Sequence, residues 1–457
     1  MSAPRSLLAT ARHLSRDEAK AIADRVLGFA TADETRVTIA SGARGNTRFA
    51  VNQVSTAGDN YNVELSVRSV IGKRSGTVST NKLDDDSLRR AVQTAEQLAR
   101  LAPEDPEAMP ELGAQRYEAD DAWRESTATL SPTGRAAAVQ SIATPSRTAK
   151  LISTGYLEHQ AESTAVANNR GLFAYGRSTG AVLTTTVRTS DGTGSGWAGG
   201  VDNDWSRLDP AALGARAIEK ADRSKSPVAI EPGRYTVVLE PTAVGNLVQL
   251  LARAFSARNA DEGRSFFSRA GGGTKIGERV LDPRVTLVSD PHDERAPTNT
   301  FTGEGMPVTR TTWIENGIVR TLAYDRYWAQ QKNVAPTQSG GSFIMSGGDS
   351  SLDELIASTE RGILVTRFWY IRPVDPRTIL YTGLTRDGTF LIEKGKVTRA
   401  VKNLRFNESP VFMLNNLEAM GRPERVSASE SGGVGLGVVV PPIKVRDFNF
   451  TSLSDAI

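Results

Sequence analysis

The chain has 457 residues, and at about 100 to 200 residues per domain this length predicts two or three domains rather than a single core. Hydrophobic residues make up 39% of the chain and charged residues 23%, which excludes an intrinsically disordered protein. With 55 basic and 52 acidic side chains the formal charge is only +3, so the charge balance gives no indication of nucleic-acid binding.

The chain contains no cysteine, which excludes disulfides, thiolate nucleophiles, cysteine-ligated zinc and iron–sulfur clusters. Its three histidines, His13, His159 and His292, lie far apart, so a transition-metal site would depend on carboxylates. No apolar run approaches the roughly 18 residues of a membrane-spanning helix, and the first residues lack the sustained apolar stretch of a signal peptide. We therefore expect a soluble, cytoplasmic protein without a membrane partner.

The first predicted element is an amphipathic helix over 15–29, in which Ser15 and Glu18 form a capping box. Runs rich in β-branched residues follow, separated by Gly and Asn, and predict an antiparallel meander. These runs lie at 37–39, 48–51, 63–71 and 76–80. Asp84 then introduces a second helix, which Pro103 ends.

An internal repeat becomes visible when the sequence is compared with itself at an offset of 120 residues. Four matched groups carry it: 67–69 with 187–189, Gly72 with Gly192, 75–76 with 195–196, and Asp84 with Asp204. Each copy predicts a hairpin followed by a helix, and the later helix covers 210–221. Between the copies, Pro132 near the start of 131–142 predicts another helix.

A charged stretch with Ser and Pro at 222–233 predicts a boundary between an N-terminal domain, 1–225, and a C-terminal domain, 226–457. The second domain begins with a buried strand at 235–239 and a helix at 243–257. Short strands with Gly turns follow, interrupted by one helix with Ser350 and Ser351 as candidate caps. The predicted fold class is α+β, with mixed and antiparallel sheets, flanking helices, an N-terminal α/β domain with an internal repeat and a β-rich C-terminal domain.

Several short motifs match known signatures but have the wrong surroundings. The G-x-G-x-x-G pattern at 194–199 and the nucleophile-elbow pattern at 176–180 are both flanked by strand-like sequence, whereas each signature requires a following helix. We interpret the first as a glycine-rich hairpin edge. The aromatic residues 368–370 beside Arg367 and Arg372 could stack on bases, but aromatic strand residues more often belong to a core.

Two segments remain candidates for binding. Asp290, His292 and Asp293 lie in one acidic loop and could ligate a metal if a further ligand arrived from elsewhere, although such loops are usually solvated.

Gly and Ser accumulate at 338–349 and 427–437 beside strong strands, which is typical of an exposed groove that takes up an extended peptide as an added strand. Plain hairpin turns are the alternative. The predicted groove residues are Phe343, Ile344, Met345 and Gly347.

Taken in order, several segments of the chain resemble the TldD/PmbA family of peptidases, and the resemblance spans nearly the whole sequence. The segments are 48–50, 169–172, 235–239, 313–319, 324–327, 355–358, 361–365, 391–397, 401–403 and 406–407. Catalytic members of this family carry HExxxH on the helix after the first C-terminal strand and a cysteine in a Gly-rich segment near the end. The resemblance implies that histidine and thiolate bind zinc and that the glutamate acts as general base.

In this chain Gln249, Leu250 and Ala254 stand where the two histidines and the glutamate of that motif would be. The Gly-rich segment at 429–433 has no cysteine. Amide, isobutyl and methyl side chains cannot hold and activate a zinc-bound water, so the chain resembles the non-catalytic TldE (PmbA) type.

The resemblance implies a metal-free subunit that pairs with a zinc-bearing TldD-type homologue and acts on unfolded peptides. Two other interpretations remain open: a self-sufficient peptidase with a different metal site at Asp290, His292 and Asp293, and a homodimeric protein that binds peptides without cutting them. The sequence does not indicate the natural substrate, and nothing in it supports a link to DNA gyrase.

Overall fold

The computed structural model describes residues 13–119, 122–337, 341–427 and 437–454. The α-helices are α1 Arg16–Phe29, α2 Asp85–Leu101, α3 Glu125–Ala128, α4 Pro132–Thr148, α5 Pro210–Arg223, α6 Pro241–Ala252, α7 Ala257–Asp261, α8 Arg326–Lys332, α9 Leu352–Ala357 and α10 Pro410–Asn415. No helix within these residues is long and apolar enough to cross a membrane.

The strands are divided between the two halves of the chain. In the first half they are β1 Glu34–Ala50, β2 Gln53–Ile71, β3 Arg74–Thr80, β4 Leu151–Asn168, β5 Phe173–Thr189 and β6 Ser195–Asp202. In the second half they are β7 Gly233–Leu239, β8 Leu287–Ser289, β9 Thr311–Glu315, β10 Ile318–Val319, β11 Phe343–Met345, β12 Arg361–Asp375, β13 Leu380–Glu393, β14 Lys396–Ala400, β15 Leu404–Glu408, β16 Leu417–Met420, β17 Glu424–Ser427, β18 Gly437–Val440 and β19 Ile443–Leu453.

The first half is a six-stranded antiparallel sheet with the order β3-β2-β1-β4-β5-β6, covered by helices. Alternate residues of β1 point to the helices because side chains along a strand alternate between its two faces. Val37 and Ile39 are buried in one cluster with α1 and α2, and Phe49 is buried in a second cluster with α4 and α5. The apolar faces of α1, α2, α4 and α5 are therefore all buried against the same sheet.

The predicted repeat is confirmed, and it is larger than a hairpin with a helix. Each copy consists of a helix, three strands and a second helix: α1, β1–β3 and α2 in the first copy, and α4, β4–β6 and α5 in the second. Gly76 of β3 and Gly196 of β6 occupy equivalent places. A Cβ on Gly76 would collide with the α2 backbone at Ala95, and a Cβ on Gly196 would collide with the α5 backbone at Ala217. Both glycines are required because the helix backbone lies directly against the strand.

The meander prediction is wrong in one respect, because 37–39 and 48–51 do not form two strands separated by a turn. Residues 37–39 and 48–50 belong to the single strand β1, which pairs with β2 and β4 along its length. Gly45 lies inside this strand because its missing side chain leaves room for the His159 ring and the Arg135 guanidinium. The turn lies instead at Val51 and Asn52, whose φ angles are 51° and 62°.

The second half consists of a barrel and a second sheet. β12 pairs with β7 and also with β13, so the order β12-β7-β19-β15-β13 closes into a five-stranded barrel, which β14 and β16 extend. The second sheet has the order β10-β9-β8-β11-β18-β17. The fold class α+β, with mixed and antiparallel sheets and flanking helices, is confirmed.

One carboxyl group is buried in the barrel wall at the end of β15. Glu408 is 3% exposed, and its carboxylate accepts hydrogen bonds from the backbone N–H of Ser409 at 2.8 Å and of Asn449 at 3.1 Å. Burial raises the pKa of Glu408 from 4.5 to about 7, against the opposing effect of the two backbone donors.

This pKa predicts that the chain loses stability as the pH rises. The folded protein binds the Glu408 proton more tightly than the unfolded chain, so the contribution is fully present below pH 4.5 and is lost as the pH passes through about 7. The loss amounts to about 3 kcal/mol. Unfolding free energies at pH 5 and pH 8 should differ less in Glu408→Gln than in the wild type. The exposed substitution Glu64→Gln is the control, and an unchanged pH dependence in Glu408→Gln would contradict the assignment.

Candidate functional site

Helix α6 contains Gln249 and Leu250, two of the three residues that stand in place of the zinc motif, and it lies between the barrel and the second sheet. Pro241 occupies its first turn, where a missing N–H has no cost. Asn246 Oδ1 accepts a hydrogen bond from the backbone N–H of Phe368 in β12 at 3.1 Å. On the opposite side, a Cβ on Gly245 would press against the side chains of Val426 and Val438. Both neighbours therefore fix the position of this helix.

The helix is shorter than predicted, since it ends at Ala252 rather than continuing to 257. Ala254 consequently lies one residue beyond the C-cap, Arg253. Leu250 is buried at 7% exposure, whereas Gln249 is half-buried, with its Nε2 3.4 Å from the Asn246 carbonyl oxygen. Only Leu250 and Ala254 contribute to a common pocket.

This pocket, the α6 pocket, has a volume of about 160 Å³ and lies between the end of α6 and the hairpin that joins β12 to β13. Its charged lining consists of the Arg253 and Arg264 guanidinium groups and the Asp375 carboxylate. Asp375 already accepts hydrogen bonds from the Arg377 backbone N–H at 3.0 Å and from the Thr378 hydroxyl at 2.8 Å.

The residues of the α6 pocket do not fit a zinc ion. The lining offers no imidazole and no thiolate, and its two guanidinium groups would repel a divalent cation. Burial also raises the pKa of Tyr381 in the same pocket, which disfavours a phenolate ligand. The Gly-rich segment at 429–433, where the family carries a cysteine, lies outside the described residues.

The alternative metal site at Asp290, His292 and Asp293 is not supported by the structure. Asp293 forms an ion pair with Arg295 at 2.7 Å, and His292 Nε2 lies 2.6 Å from a carboxylate oxygen of Glu118. Asp290 accepts a hydrogen bond from the His292 backbone N–H. Across the described ranges, no three His, Asp or Glu side chains converge as a metal site.

The predicted peptide groove at Phe343, Ile344, Met345 and Gly347 is wrong. β11 is an interior strand, paired with β8 on one side and with β18 on the other, so it has no free edge for an added strand. Its three side chains are at most 8% exposed. Gly347 packs against the backbone of Gly421, and the remainder of the Gly- and Ser-rich segment, 338–340, is not described.

The remaining motifs lie in strands. The pattern at 194–199 lies in β6 at the edge of the first sheet, as predicted, and the pattern at 176–180 lies within β5. Phe368 is fully buried and stacks on Phe448, so it does not offer a face to a base. The Arg367 guanidinium lies over the Trp197 and Trp369 rings instead of facing a ligand.

A larger cleft that no sequence motif indicates lies between the two halves of the chain. This inter-half cleft has a volume of about 720 Å³, an apolar wall and a mixed-charge rim. Its lining includes Arg216, Glu219, Arg223, Leu352, Asp353, Ile356, Leu364, Phe390, Lys396, Val397 and Glu424. No signal in the sequence could have located it, because α5 and α9 lie more than a hundred residues apart.

A buried ion pair lines the inter-half cleft. Lys220 Nζ on α5 lies 2.7 Å from a carboxylate oxygen of Glu240, the N-cap residue of α6, and both side chains are at most 12% exposed. Burial lowers the pKa of Lys220, and the Glu240 carboxylate acts in the opposite direction. Glu240 also accepts a hydrogen bond from the Thr366 hydroxyl in β12. The pair therefore ties the first half of the chain to the start of α6.

Comparison with known protein families gives three matches along the chain. Residues 37–99 match domain 1, residues 124–225 match the central domain and residues 232–452 match the C-terminal domain of the PmbA/TldA metallopeptidases. Together these ranges cover well over half of the 457 residues.

Individual proteins are similar over parts of the chain. A metalloprotease of Methanothermobacter thermautotrophicus is 25% identical over 62% of this chain and 66% of its own length. A metalloprotease TldD homologue of Haemophilus influenzae is 28% identical over 38% of this chain and 40% of its own length. The chain thus spans between two fifths and two thirds of these two curated relatives.

The crystal structure of TldE from Thermococcus kodakarensis superimposes with a TM-score of 0.83, covering 95% of this chain and all of that one. The sequence identity is 18%, so this similarity concerns the fold.

Proposed function

The chain belongs to the PmbA/TldA metallopeptidase family, and from this premise we propose that it is the metal-free subunit of a heterodimeric zinc metallopeptidase that acts on flexible or unfolded peptides in the cytoplasm. Its partner would be a TldD-type homologue that supplies the zinc. The observation that carries the proposal is the side-chain chemistry at Gln249, Leu250 and Ala254. An amide, an isobutyl group and a methyl group stand where the family holds its metal and its general base.

The surroundings of these residues support the same conclusion. Leu250 and Ala254 face a pocket with two arginines, and no other described side chain there replaces a lost zinc ligand. A single lost ligand would leave a partial site, whereas here the base and both helix ligands are absent together. The likeness in fold to a protein named TldE and the sequence similarity to a TldD homologue agree with a paired arrangement.

In this arrangement the chain itself contributes structure rather than bond cleavage. We assign its peptide contact to the inter-half cleft, since β11 has no free edge. Leu352, Ile356 and Val397 provide apolar contact area, and charges of both signs on the rim can pair with the side chains of varied peptides. Such a surface gives weak side-chain selectivity, in keeping with unfolded substrates.

The proposal predicts that peptide hydrolysis depends on mixing two different subunits. This chain, purified alone with added zinc, should leave an unstructured fluorogenic peptide intact, and hydrolysis should appear when a homologue carrying HExxxH is added. A homologue with the motif glutamate replaced by Gln should form the complex but not cleave, which separates assembly from chemistry. Zinc-dependent cleavage by this chain alone, or a failure to associate with any zinc-bearing homologue, would refute the proposal.

A further inference from the structure

Much of the wall of the α6 pocket is apolar. Leu250 and Ala254 line it from the end of α6, and Ile379 and Leu380 line it from the hairpin that joins β12 to β13. Ile379 is 2% exposed, and its backbone lies in the left-handed region with a φ angle of 51°. A β-branched residue adopts this conformation only where the surrounding structure fixes it, so this part of the wall has a defined shape.

Two of the three charged side chains that line the α6 pocket already have partners. The Asp375 carboxylate accepts the two hydrogen bonds within its hairpin, from the Arg377 backbone N–H and the Thr378 hydroxyl, and these donors lower its pKa. The Arg264 guanidinium forms an ion pair with the Glu262 carboxylate. These two charges therefore serve the fold before they serve a ligand.

Arg253 is the charged group of the α6 pocket that remains available to a ligand. It is the exposed C-cap residue of α6. Its guanidinium Nη2 lies 3.5 Å from Gln249 Oε1, a distance at which a hydrogen bond is weak. Within the described part of the chain it forms no ion pair. A guanidinium group carries five N–H donors in a fork that matches the two oxygens of a carboxylate.

Tyr381 adds a second donor to the same pocket. Burial raises the pKa of Tyr381, and the positive charge of Arg253 acts in the opposite direction, which places the two groups near each other. The phenol therefore keeps its proton at neutral pH. No acceptor among the described residues receives this hydroxyl. One charged and one neutral donor thus meet at an apolar pocket that supplies neither with a strong acceptor.

The volume of the α6 pocket limits what can enter it. A cavity of about 150 Å³ holds a group of the size of benzene, whereas complete small-molecule ligands occupy pockets of about 300 Å³ or more. The α6 pocket, at about 160 Å³, therefore fits one side chain with an adjacent polar group rather than a whole cofactor.

From these observations we propose that the α6 pocket binds the carboxyl-terminal residue of a peptide. The terminal carboxylate accepts hydrogen bonds from Arg253 and Tyr381, and an aliphatic side chain on the same residue packs against Leu250 and Ile379. A terminal Leu or Val brings both parts together. An Asp or Glu side chain would bring the carboxylate without a branched apolar group, and inorganic phosphate would leave the apolar wall uncovered.

This inference goes beyond the proposed function, which assigns no ligand to the α6 pocket. That the carboxylate belongs to a peptide rests on the proposed function, whereas the carboxylate site itself does not. Binding by this chain alone, without zinc and without a homologue, tests the pocket. Hydrolysis on mixing tests the pairing of subunits, so failure of one is distinguishable from failure of the other.

Fluorescence anisotropy with a short flexible peptide, labelled at its amino end and ending in Leu, measures the binding directly. The same peptide with an amidated end should bind the full chain roughly tenfold more weakly or worse, because the amide removes the charge that Arg253 recognises. A version ending in Gly should also bind more weakly, since it leaves the apolar wall uncovered.

Variants of the chain locate the binding within the pocket. Arg253→Gln should weaken binding of the Leu peptide by roughly tenfold or more, and Tyr381→Phe by roughly three- to tenfold. Ala254→Leu should prevent binding without changing any charge, because the larger side chain fills the pocket. Arg377→Gln is the matched control: Arg377 is exposed on the same hairpin but does not line the pocket, so its loss should leave the affinity unchanged.

Several outcomes would overturn the inference. These are equal binding of the acid and amide peptides, an unchanged affinity in Arg253→Gln, an equal loss in Arg377→Gln, or no binding at millimolar peptide. Displacement of the peptide by an equal concentration of inorganic phosphate would show a general anion site and would also overturn it.

Discussion

Lys220→Met is expected to lower the free energy of unfolding by about 3 to 5 kcal/mol. The substitution keeps most of the apolar stem but removes the cation, which leaves the Glu240 carboxylate buried with only the Thr366 hydroxyl as a described side-chain partner. An unpaired charge in a poorly solvated site costs far more than the ion pair itself contributes. Chemical denaturation followed by tryptophan fluorescence measures the change.

Two further variants separate the buried charge from a general effect of losing a lysine. Lys225→Met removes the ion pair of Lys225 with Asp222, whose side chains are 49% and 64% exposed, and should change stability by less than about 1 kcal/mol. The double variant Lys220→Met/Glu240→Gln removes both charges and should recover much of the loss. Equal effects of Lys220→Met and Lys225→Met would show that the Lys220 pair is effectively solvated.

Phe255→Ala is expected to lower the free energy of unfolding by a similar amount, about 3 to 5 kcal/mol, because it leaves a cavity in the core. Phe255 is 1% exposed and lies two residues beyond Arg253, the C-cap of α6. Its ring stacks on Trp313 at a centroid distance of 5.3 Å and also contacts Phe267 and Phe343. Truncation would leave a cavity among rings that cannot collapse onto one another, since they lie in separate segments of the chain.

The same truncation at an exposed phenylalanine provides the control. Phe412 on α10 is 43% exposed, and Phe412→Ala should therefore change the unfolding free energy by less than about 1 kcal/mol. Because the backbone carbonyl of Phe255 accepts a hydrogen bond from the Ala323 N–H, Phe255→Ala should also loosen the end of α6. Hydrogen exchange at Ala323 would report this, and unchanged exchange with a loss below about 1 kcal/mol would contradict the packing described.

The accuracy of the sequence-based expectations depended on the distance over which each residue acts. The predicted capping box of Ser15 with Glu18 is present, Ser351 is the one of the two candidate caps that caps α9, and Asp84 caps α2. The two partners of each of these interactions lie within one helical turn of each other, so the local sequence contains both of them. The repeat was visible for the same reason, although its hairpin loops differ in length.

Two of the errors concern partners that are distant along the chain. The Gly- and Asn-containing stretch between 39 and 48 is predicted to be a turn because the sequence does not reveal that the His159 ring packs where a side chain on Gly45 would be. Phe343–Met345 is predicted to be a strand with one unpaired side. An apolar strand beside glycines has the same sequence pattern whether one or both of its sides are paired. Only the register with β8 and β18 distinguishes the two.

The sequence by itself determined the α+β class, the helix starts, the family resemblance and the chemical character of residues 249, 250 and 254, since these depend on residue identity and local spacing. The tertiary structure alone decided which strand edges are free, which charges are buried together and which loop carboxylates stay apart. The Lys220–Glu240 pair and the inter-half cleft both arise where segments remote in sequence meet. Hydrogen bonding and burial at such places depend on both interacting segments, whereas a local sequence pattern contains only one of them.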